Sequence, residues 1–169
     1  ENIESDQSFT KLVSVLNAVA EDHGLPVVVS THPRTQKRID ATGACFHPQV
    51  RLLKPLGFHD YVKLQLSAKA VLSDSGTITE EASLLNLPAV TLRNAHERPE
   101  GMDQGTLIMS GLKKDSVLSA VKVITSQHQP GSRRIPLVPD YEGGPVSLQV
   151  VRVVLSYTDY VNRTVWHKG

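Results

Sequence analysis

Ala70-Val71-Leu72-Ser73-Asp74-Ser75-Gly76-Thr77-Ile78-Thr79-Glu80-Glu81-Ala82 is followed by Leu87-Pro88-Ala89-Val90-Thr91-Leu92-Arg93-Asn94-Ala95-His96-Glu97-Arg98-Pro99-Glu100. The stretch reads as strand, tight turn, helix, strand and polar loop. Ala70 to Leu72 is a short apolar run of the kind found in buried parallel strands. Ser73 to Thr77 breaks it with small hydrogen-bonding residues, and Gly76 permits a turn that most residues resist. Ile78, Ala82, Leu84 and Leu85 resume at helical spacing, which places Ser75 to Thr77 at a helix start. Unpaired N–H groups and the helix dipole favour an anion there. Simple capping is the competing reading, because Thr77 followed by Glu80 fits a capping box. Capping alone does not explain Ser73, Asp74, Ser75 and Glu81 arriving together, so a polar ligand is expected.

Working outward, Phe9, Leu12, Val13, Leu16 and Val19 predict a helix over residues 6–22 ended by Gly24. Pro26 to Ser30 reads as a buried strand running into Thr31-His32-Pro33. Residues 34–42 are weakly helical and stop at Gly43. Val50 to Leu53 is a second strand, and Tyr61, Leu64, Gln65 and Ala68 mark the helix before the central strand. Pro88 to Leu92 and Leu107 to Met109 are further strands. Val117, Val121 and Ile124 give another helical face. Residues 127–145 read as one long connection, and Val146 to Val154 as a helix whose pattern continues towards Trp166.

Strands alternating with helices predict an α/β domain, a mostly parallel sheet with helices on both faces. Ligands in such sheets lie at the carboxyl ends of the strands. That rule gathers His32, Pro55 to Phe58, Ser73 to Thr77 and Arg93 to Glu100 on one edge.

The 169 residues suffice for one domain, and Lys plus Arg (18) nearly balances Asp plus Glu (17). No net field draws the chain to nucleic acid or anionic lipid, and aromatic residues are too sparse for base stacking along a strand. Cys45 is alone, which excludes an internal disulfide. Neither a membrane-length apolar run nor a signal peptide is visible, so a soluble, cytoplasmic chain is expected.

Chemistry narrows to few residues. Arg93 and Arg98 offer planar forks that match phosphate oxygens, or they pair with Glu97 or Glu100 to hold the loop. Glu81 suits the two hydroxyls of a ribose, or it is a solvated helix face. Tyr61 and Phe58 are candidates to stack on a nucleobase, or core aromatics. The scattered histidines and single cysteine make no metal site, and no cofactor is implied. Ser75 has no obvious base and no nucleophile elbow, which argues against hydrolysis. The residues thus support binding of a phosphorylated, nucleotide-linked ligand without revealing a reaction.

The two motifs, Ser73 to Ala82 and Arg93-x-x-x-Glu97-Arg98-Pro99-Glu100, resemble the non-hydrolysing UDP-N-acetylglucosamine 2-epimerase family. Leu87-Pro88, Thr31-His32-Pro33 and Gly105-Thr106 extend the resemblance over most of the chain. It implies a two-domain, GT-B-like protein, with residues 1–169 as its single Rossmann-like, UDP-binding C-terminal domain and the N-terminal catalytic domain absent. Carried over by position, Ser75 and Gly76 bind the diphosphate, Arg98 clamps it, Glu81 takes the ribose, Tyr61 stacks on uracil, the backbone of Leu56 to Phe58 reads the base edge, and His32 lines the cleft. The implied reaction inverts C2 of a UDP-N-acetyl sugar by eliminating UDP to a 2-acetamidoglycal and adding it back. No catalytic residue is expected in this chain, which alone is expected to be inactive, and the parent is expected to be a homodimer.

Thr77 stands where the family usually has a second Gly, and Asn94-Ala95-His96 where it has Asp-Thr-Thr. With Glu100-Gly101-Met102-Asp103, these resemble the branch that forms UDP-N-acetyl-L-fucosamine for surface polysaccharides. The alternatives are the manno product of UDP-N-acetylglucosamine, a UDP-binding module, or a GT-B glycosyltransferase domain. Glu1-Asn2 resembles the tail of the family's His-Arg-x-Glu-Asn motif, so a strand preceding Glu1 is expected near the middle of the sheet. Unpaired groups inside a sheet are costly, so either the sheet closes in changed strand order, or residues preceding Glu1 supply the strand, or another chain does; the second is expected.

Overall fold

The computed structural model describes residues 5–168, so Glu1-Asn2 and its motif lie outside the described residues. Two compact units are present, residues 1–138 and 139–169. The first alternates helix and strand: α1 (Asp6–His23), β1 (Val27–Ser30), α2 (Pro33–Thr42), β2 (Val50–Leu53), α3 (Phe58–Ser67), β3 (Val71–Ser73), α4 (Ile78–Leu85), β4 (Ala89–Thr91), α5 (Pro99–Asp103), β5 (Ile108–Met109) and α6 (Lys114–Gln127). Every strand pair is parallel, as the βαβ rhythm predicts.

Local chemistry accounts for most boundaries. Ser5 accepts a hydrogen bond from the Ser8 amide and caps α1, while Gly24 ends it in the left-handed region at φ 60°. Gly43 ends α2 at the same φ. The five-residue α5 falls where a polar loop was expected; Pro99 at its first position supplies the fixed φ that starts a helix.

The strands form two sheets, β1-β2 and β3-β4-β5. In the second, alternate residues of β4 feed opposite cores, as a period of two requires. Val90, with Leu92 just beyond the strand, packs against Val15 and Val19 of α1 and Val117, Val121 and Ile124 of α6. Ala89 packs on the other face with Val71, Ile78, Ala82, Leu87 and Leu107.

The first sheet differs from expectation. Pro26 to Ser30 reads as a buried strand, but β1 alternates between half-buried and exposed residues, and Val28 is 43% exposed. Val27 donates its amide to Gln49, the residue before β2, Thr31 donates to Leu53 of β2, and Val71 donates to the residue before β4. The amides of Val28 and Leu72 therefore turn the other way, into a groove of about 980 Å³ that both residues line. The sheet has not closed over this gap, since β1 and β3 do not pair.

The second unit holds a 3₁₀ turn (Pro139–Tyr141) and α7 (Val146–Thr164), which continues past Val154 towards Trp166 as its pattern predicts. No residue of α7 is buried, and its valines and leucines from Val146 to Leu155 are exposed. Among the described residues no helix is long and apolar enough to cross a membrane.

Candidate functional site

The turn between β3 and α4 is tied by its own side chains. The Ser73 hydroxyl accepts from the Ser75 amide at 3.1 Å, and the Ser75 hydroxyl from the Thr77 amide at 3.3 Å. Thr77, which precedes α4, is in the right-handed helical region and makes no side-chain cap hydrogen bond. The capping box read from Thr77 and Glu80 is thus absent. The Thr77 hydroxyl goes instead to Glu81 Oε1 at 2.6 Å, and Glu80 is drawn away by Arg98, whose Nε donates to its Oε1.

Above this turn stands the loop after β4. Arg93 donates to Glu97 at 2.8 Å, the loop-holding pairing that the sequence left open, and Arg98 contacts Glu97 at 3.5 Å as well as Glu80. Gly76 makes room for Arg98, with Arg93 in ordinary contact range. A Cβ there would lie 3.1 Å from Arg98 Nη1, 3.5 Å from Arg93 Nη1 and 3.5 Å from Glu97 Oε2. Two guanidinium groups thus converge on the backbone at the positive end of α4, a setting that favours a phosphate. The loop is seated from below at Gly111. This glycine has φ 63°, and a Cβ on it would lie 2.3 Å from Asn94 Oδ1.

Glu81 projects from the first turn of α4 and is held on both oxygens. Thr77 donates to Oε1, and Gln65 Nε2, from α3, donates to Oε2 at 2.6 Å. Tyr61, one helical turn before Gln65, is half-buried. Burial first, then the negative charges of Glu81 and Asp74, raise its hydroxyl pKa, so it remains a neutral donor. Tyr61, His32, Pro55, Leu56, Ser73 and Ser75 all line the groove between the two sheets. His32 caps α2, its Nδ1 accepting from the Arg34 amide at 3.2 Å. Phe58, 76% exposed, stands edge-on to His59 and is not among the groove residues.

Of the residues the carboxyl-edge rule was expected to gather, His32, Pro55, Leu56 and Ser73 to Ser75 line the groove, the arginine loop meets the turn at Gly76, and Phe58 stands apart. Gly76 and Arg98 meet at the turn, Ser75 and Glu81 are joined through Thr77, and Tyr61 and His32 stand along the groove. Gln65 and Glu80 are contributors that sequence reasoning missed. The signal for Gln65 was a polar residue on the face of α3 that turns inward; it is 4% exposed. No cluster of His, Cys, Asp and Glu able to hold a metal occurs among the described residues. At the opposite edge, a cavity of about 320 Å³ is lined by Asn86, Thr106, His128 and Arg133, among others. Arg133 is occupied there in capping the last carbonyls of α4, at 2.6 and 3.1 Å.

Fold and site define a parallel α/β domain with its polar residues gathered at the carboxyl ends of the strands, where such domains bind ligands. Residues 1–155 match the family described as UDP-N-acetylglucosamine 2-epimerase, and this chain belongs to that family. A solved structure of the UDP-N-acetylglucosamine 2-epimerase from Rickettsia bellii is 50% identical, with a TM-score of 0.88 over 98% of this chain and 45% of that one. The Methanocaldococcus jannaschii enzyme, solved in complex with UDP-GlcNAc and UDP, is 25% identical with a TM-score of 0.82, over 92% of this chain and 42% of its own. The UDP-N-acetylglucosamine 2-epimerase of Methanococcus maripaludis is 30% identical over 72% of this chain and 34% of its own length. The chain thus spans less than half of these relatives.

Proposed function

We propose that residues 1–169 form the nucleotide-gripping domain of a UDP-N-acetyl sugar 2-epimerase of the non-hydrolysing kind. The observation that carries this reading is the convergence of Arg93 and Arg98 on Gly76 at the start of α4. In elimination of UDP, negative charge grows on the departing phosphate. Cationic donors already in place stabilise that charge without reorganising, and they keep the UDP bound for its return. Ser75 and the turn backbone hold the diphosphate, Arg98 clamps it, Glu81 accepts from the ribose, and Tyr61 and His32 flank the base and sugar. The proton transfers at C2 belong to the part of the parent protein outside this chain. The pure chain therefore places no deuterium at C2 of a UDP-sugar in deuterated water.

For the product, we favour UDP-N-acetyl-L-fucosamine. Support comes from Thr77, Asn94-Ala95-His96 and Glu100 to Asp103, where the sequence leaves the commoner pattern. The manno product is the second reading, favoured by the names of the relatives. Product analysis of the parent protein on both substrates separates the two.

Calorimetry on the chain tests the binding role. UDP should bind more tightly than UMP, and UMP more tightly than uridine. Equal affinity for all three would overturn the phosphate grip.

A further inference from the structure

Glu81 is restrained more tightly than a surface glutamate needs. Its carboxylate accepts 2.6 Å hydrogen bonds on both oxygens, from the Thr77 hydroxyl and from the Gln65 amide. An ionised carboxylate has about four acceptor positions, two on each oxygen. The two restraints use one on each and leave one on each, the number that a vicinal diol needs. Gln65 is 4% exposed, and its own Oε1 is buried without a partner. Turning the amide over would set that oxygen against a carboxylate oxygen, so Glu81 fixes its orientation.

The chain of hydroxyls runs further. Ser75 and Thr77 hydroxyls are 2.9 Å apart, and geometry alone does not say which donates. Chemistry decides it. Thr77 has one hydroxyl proton and gives it to the carboxylate, so Ser75 must be the donor. Ser75, at the start of the anion-binding turn, is thereby linked through Thr77 to Glu81.

We propose that Thr77 and Gln65 are positioning residues that hold Glu81 preset for the two ribose hydroxyls, making this chain selective for ribonucleotides over 2′-deoxyribonucleotides. The proposal rests on the reading of Glu81 as the ribose acceptor.

The test is the ratio of Kd for 2′-deoxy-UDP to Kd for UDP, measured by calorimetry on the full chain. Thr77→Val removes the hydroxyl at nearly constant shape, and Gln65→Met removes the amide. Each should lower the ratio roughly three- to tenfold, by weakening UDP more than 2′-deoxy-UDP. A merely structural defect would weaken both ligands together. Thr77→Ser should restore the ratio. Glu81→Gln reports on the underlying reading and should lower the ratio in any case. If Glu81→Gln lowers it while Thr77→Val keeps the wild-type ratio, the positioning role is wrong and the ribose reading stands. If Glu81→Gln also keeps it, the ribose reading itself fails. Thr77 is exposed, so its variant decides the matter even where Gln65→Met does not fold.

Discussion

β1 and β4 are both short, both parallel and both apolar in sequence, yet they end in different surroundings. β4 lies between β3 and β5, with α1 and α6 on one face and the α4 side on the other, and all three of its residues are buried. β1 has a strand on one edge only, and its valines alternate between half-buried and exposed. A continuous valine run marks a strand suited to burial on both faces; whether it is buried depends on neighbours far away in sequence. The site straddles this difference. The turn proposed to hold the anion leaves β3, whose outer edge faces the groove, and the arginine loop leaves β4, which is paired on both edges. Tyr61 and His32 stand on the open groove.

The contrast is broken or sharpened first by packing variants. Leu92→Ala, at 4% exposure in the core beneath α6, should cost about 2–5 kcal/mol in urea unfolding, whereas Val28→Ala should cost under about 1 kcal/mol. Equal costs would mean that the two sheets are equally consolidated.

The next effect is on binding. Arg98→Ala, in the loop carried by β4, should weaken UDP by about 1.5–3 kcal/mol and leave uridine nearly unchanged. Calorimetry on both ligands measures it. Equal losses would remove Arg98 from the phosphate.

Gly111→Ala should then destabilise the chain by about 1 kcal/mol or more in thermal unfolding, because alanine is strained at φ 63° and its methyl meets Asn94. A neutral result would show that the arginine loop is not seated there.

The smallest effect is on pH. Glu97 is held below the ordinary carboxylate range first by its hydrogen bond from Arg93, then by the charge of that arginine. Its stabilising contribution is therefore complete above the unfolded-state pKa and disappears as pH falls through the lowered folded value. Glu97→Gln should flatten that acid limb slightly. Melting temperatures across the acidic range check the sign.

Much of this was legible because its signals are local. Gly24 and Gly43 end helices where the apolar period stops, and β2 occupies the predicted residues 50–53. What escaped depends on distant partners. Thr77 and Glu80 have capping-box spacing, but Arg98, 18 residues beyond Glu80, competes for the carboxylate and the box does not form. Gln65 looked like one more helical residue until α3 and α4 met. The short α5 has too few turns for apolar periodicity to register. The groove beside β1 was legible only through the family resemblance, since nothing in Pro26 to Ser30 says which edges will be paired.

The most direct measurement is to titrate the isotope-labelled chain with UDP and follow its amide resonances. Shifts should concentrate at Ser75, Gly76, Thr77, Glu81 and Arg98, extend to Tyr61, and leave Asn86, His128 and Arg133 unmoved. Saturation with shifts centred on Asn86, Thr106, His128 and Arg133, around the opposite-edge cavity, would contradict the assignment of the nucleotide to the β3–α4 turn.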